Sequence, residues 1–101
     1  LSSDSRVELQ LVSRLGEWRA WDVCRARAQA GATVQVVLIH DAVLETAAGI
    51  QAALGEDCPN GVEVTACAAD ARRRRVAERW ALVDYPEIIE RCAAAARVTS
   101  W

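Results

Sequence analysis

Lysine, phenylalanine and methionine are absent from this 101-residue chain, and histidine and tyrosine occur once each. All twelve cations are therefore arginine, a habit of residue usage that carries little functional weight. The single histidine, His40, has no serine in a nucleophile-elbow context to serve, so no catalytic triad is present. The four cysteines, Cys24, Cys58, Cys67 and Cys92, show neither C-x-x-C spacing nor nearby histidines, which argues against a zinc site. No apolar run reaches the length of a membrane span, and no signal-peptide pattern occurs. No glycine-rich loop is present to cradle a phosphate, so no cofactor is assigned. A net charge of −2 argues against a general nucleic-acid binder, which carries a large positive excess.

What is present describes one domain spanning residues 1–101. Half the residues are apolar and about a quarter charged, enough for a single hydrophobic core. A core this rich in aliphatic residues and alanine needs no disulfides, which points to a reducing, cytoplasmic setting. The chain opens on Leu1 without an initiator methionine, so a preceding segment is expected to have been removed or left out.

The stretch GVEVTACAADARRRR, residues 61–75, organises the rest. Val62, Val64 and Ala66 alternate with Glu63 and Thr65, the period-2 pattern of a strand. Cys67 closes that strand, and residues 68–75 have helix-forming composition. A cysteine at such a junction meets the unpaired N–H groups and partial positive charge of a helix N-terminus, which favour thiolate over thiol.

Upstream, residues 5–31 read as one helical region. Ser5 with Glu8 has capping-box spacing, and Asp4 is an alternative cap. Val7, Leu11, Leu15, Trp18, Trp21 and Cys24 or Ala28 then form an apolar stripe, with Gly16 a point of division and Gly31 the stop. TVQVVLIH, residues 33–40, is the clearest strand, central and buried on both faces. Asp41 is placed to cap a helix over residues 42–54, which Gly49 weakens. The turn-rich residues 57–61 lead back into the strand described above. Residues 81–83 form a short strand. Asp84, Pro86 and Glu87 then open a helix to about Ala96, with Ile88, Ile89 and Cys92 on its apolar face, and residues 98–101 close the chain as a strand. The alternation of helices and strands predicts an α/β fold: a parallel sheet with helices on both faces, its first strand missing or truncated to a remnant at residues 1–3.

Four segments resemble the DsrE/DsrF/DsrH (TusB/TusC/TusD) group of sulfur-relay proteins over residues 23–101. They are Cys24 followed by RARAQAG, VVLIHDAV, VTACAADARRRR, and ALVDYPEIIERCAAAARVTSW. The likeness is closest to the DsrH/TusB branch, yet Cys67 stands where the DsrE/TusD branch carries its sulfur-accepting cysteine. Residues 6–22 are longer than the family's equivalent, and Arg75-Val76 replaces the glycine expected after the arginines. The resemblance implies a flavodoxin-like, three-layer fold and a cytoplasmic sulfurtransferase-like carrier that accepts persulfide sulfur at a cysteine. It further implies a TusA-like donor, a DsrC/TusE-like acceptor, a role in sulfur oxidation or tRNA thiolation, and a homo- or hetero-oligomer. The alternative it allows is a non-catalytic subunit that stabilises a sulfur-transferring partner.

Each candidate has two readings. Cys67 is either a nucleophilic thiol that both attacks and leaves, or a small buried hydrophobe at a strand end. Cys24 is either core or a second relay thiol at the DsrH-like position. Cys58 is assigned to an exposed turn and Cys92 to the core side of the last helix. The arginine run 72–75 with Arg79 is either a solvated helical face or a patch that activates Cys67 and docks an acidic carrier; direct tRNA binding is disfavoured. His40 and Asp41 share an edge with Cys67; Asp41 is expected to cap a helix and His40 to be satisfied locally. Of Trp18, Trp21, Trp80 and Trp101, some belong to the core and exposed ones mark an interface.

Overall fold

A computed structural model describes residues 7–56 and 61–101. It contains β1 (Val7–Val12), α1 (Trp18–Gln29), β2 (Thr33–Leu38), α2 (Ala47–Leu54), β3 (Val62–Cys67), α3 (Ala68–Arg73), β4 (Leu82–Val83), α4 (Tyr85–Ala94) and β5 (Arg97–Ser100). Short 3-10 turns lie at His40–Leu44 and Ala77–Arg79. The five strands form one sheet in the order β4-β3-β2-β1-β5, every pair parallel. This is the expected α/β architecture, consistent with a flavodoxin-like three-layer fold.

The chain steps outward from β1 to β4 and then returns past β1 to β5. Reversing direction with the same crossover hand requires the last helix to lie on the opposite face. Accordingly Ala20, Trp21, Cys24 and Ala28 of α1 and Ile50 and Leu54 of α2 cluster with Val34, Val36, Leu38 and Ala66. On the other face Ile88 of α4 clusters with Leu9, Val37, Cys67 and Val83. β2, at the centre, is apolar toward both layers, as its composition predicted.

The first strand is neither missing nor truncated. Residues 7–12, expected as helix, form β1, six residues long and paired on both sides. The pattern misled because Glu8 and Gln10 are buried, against the usual preference for apolar residues in a central strand. The proposed caps Asp4 and Ser5, the remnant at 1–3 and the turn at 57–60 with Cys58 lie outside the described residues. α1 begins only at Trp18 and ends where expected: Gly31 takes φ 98°, its N–H bonds Ala28 and the N–H of Ala32 bonds Arg27.

Other boundaries move by a few residues. β2 stops at Leu38, and Asp41 lies inside the 3-10 turn instead of capping a helix. α2 starts later and is capped by Thr46, whose hydroxyl accepts from the Gly49 N–H at 3.0 Å. The entry to α4 is as read: Asp84 accepts from the Glu87 N–H at 3.0 Å, with Pro86 in the first turn. Ile89 is 68 % exposed and does not join the core side of α4.

Candidate functional site

In a parallel sheet all strands end at one edge, and functional groups gather beyond it. At this edge β3 delivers Cys67, which is both the last strand residue and the residue preceding α3. Its backbone is extended, with φ −63° and ψ 122°, and its side chain makes no capping hydrogen bond. α3 is six residues long, shorter than the eight expected. Cys67 has no exposed surface. It pairs in register with Val83 of β4 and shares its cluster with Val37 and Ile88.

The polar neighbour of this thiol is Tyr85, first residue of α4 and two residues beyond Val83. The negative charge available at Cys67 pushes the Tyr85 phenol above its usual range. Asp70 adds to the effect and Arg73 opposes it. Sequence reasoning did not single out Tyr85 or Asp70. Eighteen positions separate Cys67 from Tyr85, and only the β3–β4 pairing brings them together.

Asp70 is 2 % exposed and organises the rest of the edge. One carboxylate oxygen accepts the backbone N–H of His40 at 2.8 Å; the other lies 3.8 Å from Arg73 and Arg74. The bond holds His40 in left-handed backbone, φ 51°, a conformation that costs a non-glycine residue about 1–3 kcal/mol. Asp41, expected as a helix cap, instead accepts from Nε and Nη2 of Arg74 at 3.1 and 3.0 Å. The arginine run is therefore divided. Arg74 is turned inward, whereas Arg72, Arg73 and Arg75 face solvent. Arg79 is also exposed, but its guanidinium is bound to the Leu44 carbonyl at 3.2 Å.

Cys24 is not part of this group. It is fully buried under α1, in the cluster on the opposite face of the sheet. Cys92 packs against the same cluster as Cys67, as its core-side assignment anticipated. Of the tryptophans, Trp21 is core; Trp80 and Trp101 are half-buried, with indole N–H groups bonded to the Val43 carbonyl and the Gln10 side chain. Trp18 is 60 % exposed, with the Arg19 guanidinium 5.5 Å from its ring centre.

Two open clefts lie at the opposite, amino-terminal edge. One of about 280 Å³ is lined by Thr33, Gln35, Gly61, Val62 and Glu63; one of about 350 Å³ by Val7, Gln35, Arg91, Ala94 and Ala95. Neither holds a nucleophile. Among the described residues no cluster of three or more histidine, cysteine or acidic side chains is arranged to hold a metal ion, and no helix is long and apolar enough to cross a membrane. No protein-family model matches the chain, no curated protein is detectably similar to it, and no solved structure matches it.

Proposed function

We propose that this protein is a sulfur-relay protein of the DsrE/DsrF/DsrH type, with Cys67 as the sulfur-carrying residue. The observation that carries the reading is the placement of Cys67: a thiol at the carboxyl edge of a parallel sheet, in the extended residue that leads from β3 into α3. In the transfer, the Cys67 thiolate attacks the outer sulfur of a donor persulfide. One S–S bond forms, one breaks, and the donor leaves as a thiolate, so no outside oxidant or reductant is consumed. Handing the sulfur to an acceptor thiolate repeats the exchange in the forward direction.

The solvent-facing Arg72, Arg73 and Arg75 supply the charge that would draw an acidic carrier protein to this edge. The partners proposed are a TusA-like donor and a DsrC/TusE-like acceptor, in sulfur oxidation or tRNA thiolation. A second reading, a non-catalytic interaction subunit of such a complex, is favoured by the complete burial of Cys67 and by the exposure of Trp18, Ile89 and Val98. Cys24, at the DsrH-like position, remains the other candidate thiol.

Brief exposure to a persulfide donor followed by intact-mass measurement tests the proposal. The wild-type chain and Cys24→Ser are expected to gain one sulfur atom, and Cys67→Ser none. Loss of the gain only in Cys24→Ser moves the site to Cys24. No gain in the wild-type chain leaves the interaction-subunit reading.

A further inference from the structure

We propose that the outer edge of β5 pairs with β5 of a second copy of this chain, antiparallel about a two-fold axis through Thr99, making a homodimer with one continuous sheet. The pairing stands on the sheet edge alone, apart from the sulfur-carrier reading.

The sheet has two edges, and only one is protected. β4 is two residues long and runs straight into the Asp84 cap of α4, too short to template another strand. β5 is four residues long, RVTS, with no proline and with the β-branched Val98 and Thr99 side by side. Among the described residues nothing pairs with its outer side. β1, β2 and β3 each bury at least three residues, whereas β5 buries none and leaves Val98 41 % exposed.

The free backbone groups can be identified. Trp101 spends its N–H on the Leu11 carbonyl at 2.8 Å and its C=O on the Ser13 N–H at 3.3 Å. Backbone groups of alternate residues point to the same side of a strand, so those of Thr99 and Arg97 also turn toward β1. The N–H and C=O of Val98 and Ser100 are left pointing outward. An antiparallel copy centred on Thr99 sets Val98 of one chain against Ser100 of the other, and such a pair exchanges both N–H···O=C bonds. Every outward group of the strand is then used.

The side chains fit the same axis. Arg97 lies in register with Glu8 and Thr99 with Gln10, whose side chain the Trp101 indole also reaches, so all three belong to one face. The axis sets Thr99 against Thr99, a favourable cross-strand pair. It sets Arg97, the strand's one charge, against Trp101 of the other copy instead of a second arginine. An isologous contact of this kind closes at two chains. Because the paired strands are antiparallel, the two carboxyl edges point opposite ways, each Cys67 three strands, roughly 14 Å, from its own β5. Both thiol sites stay clear of the interface.

Sedimentation velocity at rising concentration tests the proposal, and the full chain should approach twice the mass of one chain. Ser100→Pro removes an outward N–H and sets a ring in the partner's place while sparing the bonds to β1. It should stay monomeric with the far-ultraviolet spectrum of a folded chain. Under diamide, Thr99→Cys should cross-link through its new thiol, since opposed Cα atoms of a non-hydrogen-bonded pair lie about 4.5 Å apart. Val98→Cys should not, because the axis holds its two copies more than ~7 Å apart. Peptide mass mapping separates these disulfides from any between native cysteines. A wild-type chain that stays monomeric at every concentration overturns the dimer, whether β5 is bare or taken by a foreign strand. A dimer that survives Ser100→Pro, or cross-links through Val98→Cys and not Thr99→Cys, overturns this interface. Should Ser100→Pro fail to fold, the Thr99→Cys cross-link decides. A monomer that gains persulfide sulfur removes the dimer alone; a dimer that gains none removes the carrier reading alone.

Discussion

Two non-glycine residues among those described hold left-handed backbone, and both belong to the carboxyl-edge site: His40 at φ 51° and Arg75 at φ 61°. They arise differently. His40 is pulled into place by a buried carboxylate, since the Asp70 oxygen has its N–H as partner across thirty residues of chain. Arg75 stands where a helix ends: its N–H bonds the carbonyl of Arg72, and the N–H of the following Val76 bonds that of Ala71. Gly31 occupies the equivalent position after α1 with the same two bonds and no side-chain penalty. Arg75→Gly should stabilise the domain by about 1 kcal/mol, the penalty of one left-handed side chain. A rise in the urea midpoint measures it; a fall would mean that the Arg75 side chain holds something the backbone argument omits.

At the scale of elements, what could be read locally was read well, and what depended on a distant partner was not. The entry to α4 is written in adjacent residues: Asp84 accepts the Glu87 N–H and Pro86 tolerates a position whose N–H is unpaired anyway. Asp84→Ala removes that acceptor and should cost about 1 kcal/mol, the usual loss for a helix cap. Thermal unfolding checks it, and an unchanged midpoint would mean that solvent replaces the cap. The start of α2 could not be assigned in the same way. Asp41 and Thr46 are both good caps by composition, but the Asp41 carboxylate is taken by Arg74, thirty-three positions along the chain. With Asp41 occupied, Thr46 caps α2 and the residues between wind into a 3-10 turn. The same limit explains β1. The spacing of Val7 and Leu11 fits a helix, while VELQLV also alternates with period two. Nothing nearby shows that a polar Glu8 and Gln10 are tolerable in a buried strand.

For the whole molecule, the tolerance of β1 comes from groups far along the chain. Glu8 accepts from Nε and Nη2 of Arg27 at 2.9 and 2.8 Å, and Gln10 accepts the Trp101 indole N–H at 2.7 Å. The first bond ties the sheet to α1, and the second ties the first strand to the last residue. The hydrogen bond from Arg27 holds the Glu8 carboxyl below its usual 4.5, with attraction to Arg27 and Arg97 adding to it against the cost of burial. A lowered folded value means that the stabilisation is fully present above about pH 4.5 and is lost as the pH falls through the folded value. The melting temperature of wild type should therefore exceed that of Glu8→Gln most at neutral pH, and the gap should shrink in acid. Arg27 is partly exposed, so solvent screening keeps the gap small and added salt narrows it further. A pH-independent gap would assign the effect to shape instead of charge.

By itself the sequence determined the α/β class, the central strand β2, the β3–Cys67–α3 junction and the helix start at Asp84, because each is written in the period or capping chemistry of neighbouring residues. Only the tertiary structure decided that residues 7–12 are a strand and that Cys24 and Cys67 lie on opposite faces. The first of these outcomes turns on pairings across nineteen to ninety-one positions. A buried polar group is stable or ruinous according to whether its partner arrives, and neighbouring residues carry no record of that partner.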